Sequence, residues 1–155
     1  MAAPNQKRLS TSQILTMIRG CNYFSEVEEI FENVEEVPPV GESLYRLMDK
    51  KRTKPTDLIS QSGIERSYFY HILSGKKLPS RNILLRLCLC LRASLTDTNQ
   101  ILKYGGQATL YARNRRDALL IFAINHSLGM AGANELLLSH QELPLYREET
   151  KHAKG

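Results

Sequence analysis

A single glycine, Gly63, divides two short apolar-patterned segments, and this arrangement constrains the fold more than any other feature of the sequence. Apolar side chains recur at helical spacing on both sides of it, so each segment predicts a short amphipathic helix. Glycine adopts positive φ at little cost, which permits a tight turn between two helices that cross steeply. The positions expected to share one small core are Leu58, Ile59, Ile64, Phe69 and Ile72. Residues 55–75 therefore predict a helix-turn-helix.

The outer face of the second predicted helix carries hydrogen-bonding side chains and no carboxylate. Arg66, Ser67, Tyr70 and His71 recur there at helical spacing. Such a helix fits the DNA major groove, about 12 Å wide, where Arg pairs with guanine and Ser or His meets donors or acceptors. We therefore predict that these four side chains read bases. The alternative is an amphipathic helix whose polar side simply faces water.

Basic residues that follow this helix favour DNA over a solvated face. Lys76, Lys77 and Arg81 lie where the chain would leave the groove beside a phosphate backbone. Thr56 adds a hydroxyl near the start of the first helix, whose free N–H groups suit a phosphate. We predict that these four residues contact the DNA backbone.

The segment GIERSYFYHILSGKKLPS resembles the second half of the phage repressor and Cro-type (XRE-type) helix-turn-helix domain. The resemblance extends over about residues 43–104, the five-helix module of that family. It implies the same base-facing and backbone-facing roles for the residues above, and a transcriptional regulator that binds double-stranded DNA without a cofactor. The matching positions are Gly63, Ile64, Arg66, Ser67, Tyr68, Ile72, Gly75, Lys76, Pro79 and Ser80.

Four departures from the family pattern affect the details of that implied role. Ile59 stands where a small residue is usual, and Leu73 replaces a frequent acidic residue. Tyr70 is bulkier than the usual small polar residue, and Lys54 replaces a Ser or Thr cap. Tyr70 can obstruct a close fit in the groove or stack on a thymine methyl. The departures therefore concern which bases are read more than they concern the fold.

The whole chain predicts an all-α fold, a lambda-repressor-like five-helix domain with additional N- and C-terminal helices. Residues 1–38 read as a helical, partly acidic extension, with helices over 10–19 and 25–36. Residues 41–105 form the helix-turn-helix domain, in which Ser80 and Ser94 cap two later helices. Residues 106–146 form a C-terminal helical hairpin packed on it, and residues 147–155 a disordered tail.

An internal repeat accompanies this organisation. Residues 81–111 match 116–146 after a shift of 35 positions without a gap, with seven identities that include Arg81 with Arg116 and Asn99 with Asn134. Two alternatives remain open, a duplicated helical hairpin or chance matching of Leu-rich helices. A duplication favours hairpins packed within the chain, whereas the same helices can also form a homodimer interface.

Charge is distributed unevenly along the chain. Residues 22–42 hold seven acidic residues and no Lys or Arg, whereas residues 43–116 hold fifteen Lys and Arg against four acids, a balance of +11. The basic part favours a polyanionic partner. Two interpretations of the acidic part remain, a segment that mimics phosphate near the DNA-binding face or a solvated helix packed away from it.

Other functional classes find little support in the sequence. The four histidines are scattered, none of the phosphate-loop, dinucleotide or zinc-protease motifs occurs, and Cys88 and Cys90 lie in an apolar run, so neither catalysis nor a metal is expected. No apolar run reaches the ~18 residues of a membrane span. Residues 1–20 also lack a secretory apolar stretch, so a cytoplasmic location is expected. The remaining competitor is a helix-turn-helix-derived adaptor that binds a protein partner.

Overall fold

A computed structural model of the chain describes residues 9–34 and 39–147, and all regular secondary structure within these ranges is helical. The prediction of an all-α fold is confirmed. The chain divides between Val37 and Pro38 into two compact units. None of the described helices combines the length and the apolarity that a membrane crossing requires. The predicted tail lies outside the described residues from position 148 onward.

The described part of the first unit, residues 9–34, contains two helices. Helix α1 spans Thr11–Arg19 and α2 spans Phe24–Asn33. The Ser10 hydroxyl accepts a hydrogen bond from the Gln13 N–H at 3.1 Å, while the Ser10 N–H donates to the Gln13 side chain at 2.8 Å. This reciprocal pair satisfies two N–H groups that the first turn of a helix leaves open. The second helix was predicted to reach Glu36, but it ends at Asn33, and Val34 has extended backbone angles.

Three helices begin the second unit. Helix α3 spans Val40–Lys50, α4 spans Pro55–Ser62 and α5 spans Arg66–Leu73. Gly63 ends α4 with φ 68°, the left-handed conformation that glycine adopts most easily. The apolar positions predicted around it, Ile59 excepted, are buried, and Ile59 is half-buried. The pattern around Gly63 therefore gave the correct inward faces of α4 and α5.

Helices α6 and α7 complete the core. Helix α6 spans Arg81–Cys90 and α7 spans Leu95–Tyr104, and each begins after a serine that accepts a backbone hydrogen bond, as predicted. Most of α6 is buried because the helix packs against α4, α7 and the last helix of the chain. Leucine and cysteine alternate over residues 87–91, as apolar residues can in a strand. The segment instead forms the end of α6, and its side chains are buried or half-buried on both sides.

The last two helices, α8 at Arg115–Asn125 and α9 at Gly129–Ser139, reproduce α6 and α7. Asn99 Oδ1 accepts from the Leu110 N–H at 2.8 Å, and 35 positions later Asn134 Oδ1 accepts from the Leu145 N–H at 2.7 Å. Positive φ recurs at the same spacing, in Arg92 and Ser127 and again in Gly106 and Gln141. The 35-residue repeat seen in the sequence is thus a repeat of structure.

The two hairpins face each other through reciprocal contacts. Arg81 of the first donates to Asp117 of the second, and Arg116 of the second donates to Asn82 of the first, both at 2.9 Å. Because 117 and 82 are equivalent positions of the repeat, the hairpins are related by an approximate two-fold axis. Helices α8 and α9 contact α6 and α7 and belong with them to one compact unit from residue 38 onward.

Candidate nucleic-acid interface

Helix α5 separates a buried face from a polar one. Phe69, Ile72 and Leu73 are buried on its inner side. The four predicted base-reading residues lie on its outer side, where Arg66, Ser67 and Tyr70 are exposed and His71 is half-buried. The structure therefore brings these four side chains together on one helix face.

Arg66 is held against Tyr70 by stacking. Its guanidinium carbon lies 5.6 Å from the centroid of the Tyr70 ring, and that ring meets Phe69 edge-on at 5.6 Å and 83°. Phe69 is buried, so Tyr70 rests against the core and in turn supports the exposed guanidinium of Arg66. Among the described residues no carboxylate pairs with Arg66, and its N–H donors remain available to an acceptor outside the chain.

A turn rich in positive charge follows α5. Gly75 has φ 81°, and the Lys77 N–H donates back to the His71 carbonyl at 3.1 Å, so the chain folds close to the end of the helix. The side chains of Lys76 and Lys77 are exposed and make no hydrogen bond or ion pair within the described ranges. Leu78 follows with 77% of its surface exposed. Two free ammonium groups therefore flank the polar face of α5.

The start of α4 is open to solvent. Pro55 occupies the first turn, and Lys54 provides no side-chain hydrogen bond to cap it. Thr56 is exposed in the first turn of α4, whose backbone N–H groups have no side-chain cap, and the carboxylate of Asp57 is exposed next to it. The positive end of the helix dipole is therefore partly offset by Asp57, and an approaching phosphate meets one hydroxyl and one carboxylate here.

Arg81 does not lie among the free cations. Its Nε donates to the Ala108 carbonyl at 2.9 Å, and its two terminal nitrogens each donate to a carboxylate oxygen of Asp117 at 2.9 Å. One of those nitrogens also donates to the Thr109 carbonyl at 3.2 Å. With the charge paired and the donors used within the fold, we exclude Arg81 from the interface and assign it to the contact between the hairpins.

The basic cluster at 113–116 is likewise mostly structural. Asn114 caps α8 by accepting from the Asp117 N–H at 3.0 Å, and Arg116 donates to Asn82 and to the Leu143 carbonyl. Burial lowers the pKa of the Arg116 guanidinium, and the nearby charge of Arg81 lowers it further, against the effect of Asp117 and Glu142. Of this cluster, Arg113 alone makes no side-chain hydrogen bond or ion pair with described residues.

Sequence reasoning missed Arg86, the arginine inside the apolar run of α6. Its Nη2 donates to the Ser62 carbonyl at 2.6 Å, and its guanidinium carbon lies 5.2 Å from the centroid of the Tyr146 ring. Burial lowers the pKa of this guanidinium. The available signal was a lone charge in the middle of an otherwise apolar helix, a position where an arginine needs a specific partner.

Comparisons with models of protein families, with curated proteins and with solved structures found no match. Within the described ranges, no three His, Cys, Asp or Glu side chains lie close enough together to hold a metal ion. The candidate site thus consists of α5, which packs on the core and presents one arginine, two hydroxyls and an imidazole. Two lysines lie beyond the end of this helix.

Proposed function

We propose that the chain binds double-stranded DNA in a sequence-specific manner and acts as a transcriptional regulator, with residues 41–105 as a lambda-repressor-like helix-turn-helix domain. The observation that carries this proposal is the division of α5, whose inner side is locked in the core while its outer side holds only hydrogen-bonding side chains. A helix held in this way presents a fixed pattern of donors and acceptors, which is what reading a base sequence requires.

The dimensions of α5 support the same proposal. It is an α-helix of eight residues, and the diameter of an α-helix with its side chains, about 10–12 Å, matches the major-groove width of about 12 Å. Arg66 stands at its N-terminal end and is suited to the O6 and N7 atoms of guanine. Ser67 and His71 can donate or accept, and the Tyr70 ring is suited to a thymine methyl.

The flanking charges have a different role. Lys76 and Lys77 are exposed, unpaired within the described ranges and placed beyond the end of α5, so they are suited to phosphates, whose contacts fix the register but carry no sequence information. Asp57 and Glu65 are exposed near the start of the two helices. Repulsion between these carboxylates and phosphate limits nonspecific binding, and so it increases the share of the affinity that must come from base contacts.

Selection from a random duplex library near physiological salt tests the proposal. We expect enrichment of one motif, and a palindromic motif if two copies bind together. Affinity for the selected site should fall steeply as salt rises, because phosphate contacts release counterions. A double variant, Lys76→Ala with Lys77→Ala, should lower that slope, whereas Lys103→Ala, an exposed lysine on α7, is the matched control.

Failure of the selection would favour the alternative, an adaptor that binds a protein partner through the same surface. The exposed side chains of Leu78 and Tyr70 are the structural features that such a partner would bury. A folded chain that enriches no motif and loses all duplex binding at moderate salt would overturn the proposed DNA reading. A folded chain that enriches a motif would remove the reason to consider the adaptor.

A further inference from the structure

A cleft of about 710 Å³ opens between the C-terminal end of α4 and the segment that follows α9. Gln61 and Gly63 line it on one side, and Met130 and Tyr146 on the other. Among the described residues, its charged lining residues are Arg86 and Arg147, and none of these lining residues is a carboxylate. The volume lies within the range of sites that hold small molecules, ~300–1,000 Å³. The cleft is therefore large enough for a ligand and is positively charged.

Arg86 is the residue around which this cleft is built. It is half-buried, yet none of the ion pairs among the described residues includes it. Its Nη2 is used by the Ser62 carbonyl, its Nε is buried without a partner, and no hydrogen bond within the described chain uses Nη1. A partly buried cation without a counterion is costly, and an anion brought to it would reduce that cost.

The internal repeat shows that packing of the hairpins does not require an arginine at this position. The residue equivalent to Arg86 in the second hairpin, 35 positions later, is Ile121, and the residue equivalent to Tyr146 in the first is Tyr111. Ile121 is half-buried and carries no charge. The second hairpin thus has an apolar side chain, Ile121, at this position. The first hairpin, which packs against α4, has a guanidinium there, and that guanidinium lines the cleft.

We propose that this cleft binds a small ligand that carries an oxyanion group, a phosphate or a carboxylate, through Arg86 and Arg147. A guanidinium binds such a group with two parallel hydrogen bonds, and the Tyr146 ring and Met130 supply an apolar wall for the rest of the ligand. A second cleft of about 600 Å³ shares Gln61 and Met130 and is lined by Lys51 and Arg92, and its described lining residues again include no carboxylate. A ligand larger than a single ion can therefore extend into a second basic region.

Occupancy of the cleft has a structural consequence for α4 and α5. Ser62 and Gly63, which line the cleft, are the residues at which α4 ends and the turn to α5 begins. A ligand on Arg86 would hold this turn in one conformation. A resulting change in DNA affinity rests on the proposed function, whereas ligand binding itself is tested without DNA.

Nuclear magnetic resonance of the full chain provides that test, with pyrophosphate and citrate as probes at constant ionic strength set by sodium chloride. We expect a saturable shift of the Gly63 and Tyr146 amides and of the Arg86 Nε–H with at least one probe. The stronger probe identifies the source of the oxyanion. Arg86→Met should weaken binding by roughly tenfold or more, the effect of one charge-assisted hydrogen bond. Arg113→Met, which removes the same charge from a residue outside the cleft, should leave it unchanged.

Arg147→Met provides a second route if Arg86→Met fails to fold, because Arg147 is exposed and makes no side-chain hydrogen bond or ion pair with described residues. It should weaken binding while the spectrum stays that of the folded chain. Two results would overturn the proposal. One is the absence of saturable shifts in the cleft with both probes, and the other is binding by folded Arg86→Met and Arg147→Met as strong as that of the unsubstituted chain.

Discussion

Arg81 and Arg116, 35 positions apart, hold the chain in the same way. The Nε of Arg81 donates to the Ala108 carbonyl and that of Arg116 to the Leu143 carbonyl, each at 2.9 Å. Each arginine also reaches across to the other hairpin. The two copies differ in what they meet, since Arg81 pairs with the carboxylate of Asp117 and Arg116 with the amide of Asn82. The Arg81–Asp117 contact is therefore the charged half of an otherwise symmetric pair.

Arg81→Met should destabilise the second unit. Asp117 is 5% exposed and would lose its cation, and a buried charge left without its partner costs on the order of 3 kcal/mol. The free energy of unfolding in urea measures the loss. Lys50→Met is the matched control because the Lys50–Asp97 pair, 3.0 Å apart, has a lysine that is 65% exposed, and such pairs contribute about 1 kcal/mol or less. Equal losses in the two variants would contradict the assigned role of Arg81.

Stability should depend on the ionisation of Asp117. Burial alone would raise the pKa of this carboxyl, but hydrogen bonds from Arg81 and from the Tyr111 N–H, with the charges of Arg81 and Arg116, hold it below its ordinary value. The folded protein therefore binds fewer protons than the unfolded chain below about pH 4, and stability falls as pH decreases through this lowered pKa. The stability difference between the unsubstituted chain and Asp117→Asn should be constant above about pH 5 and should shrink in acid. A difference that grows on acidification would show that the sign is wrong.

Gly41→Ala should disturb the position of α5. Gly41 lies in the first turn of α3, and a methyl group added there would lie 2.8 Å from the carbonyl carbon of Leu73 and 2.9 Å from the carbonyl oxygen of Ile72. These are backbone atoms at the end of α5, so relief requires the two helices to separate. We expect a cost of about 1–3 kcal/mol, measured by thermal unfolding.

Gly20→Ala is the control for this substitution. The added methyl group would lie 3.5 Å from its nearest neighbour, the Met17 carbonyl oxygen, so a change within about 0.5 kcal/mol is expected. Shifted amide resonances in α5 of Gly41→Ala would identify the helix that moves. An unchanged melting temperature for Gly41→Ala would mean that the close approach of α3 and α5 does not set the position of α5.

Base reading and backbone contact should separate in two single variants. Arg66→Ala should relax the preference at one base pair and cost about 1–3 kcal/mol on the selected site, with little effect on random DNA. Lys77→Ala should weaken binding to all duplexes alike and lower the salt slope by about one. Competition binding on selected and random duplexes measures both. Equal losses on the two duplexes for Arg66→Ala would remove that residue from the base-reading face.

Local signals predicted much of this fold from the sequence. Ser80 and Ser94 were expected to cap helices and do so, and the helix pair predicted within residues 55–75 is present as α4 and α5. Such features depend on residues a few positions apart, and the periodicity and the capping chemistry are both visible in the chain. The 35-residue repeat was visible as well, because equivalent residues stand at the same spacing in sequence and in structure.

Long-range pairing explains what the sequence did not reveal. Arg81 stands where a backbone-contacting cation was expected, but its acceptors lie 27, 28 and 36 positions away, and nothing near Arg81 indicates that its charge is already paired. Arg86 was overlooked for the same reason, since Ser62 and Tyr146 reach it from distant parts of the chain. Most of the predicted interface residues lie on one short helix and its following turn, and Thr56, which is also exposed, lies at the start of the preceding helix α4.

Helix α6 packs against α4 on one side and against α9 on another. The helices proposed to bind DNA and the C-terminal hairpin therefore pack against the same helix, and neither part has a complete core when the other is removed. The second unit should accordingly melt in one cooperative transition. In a fragment ending at residue 105, the apolar side chains of α6 that pack against α9 would be exposed to solvent. We therefore expect α4 and α5 to depend on the C-terminal hairpin for their stability, whatever the chain binds.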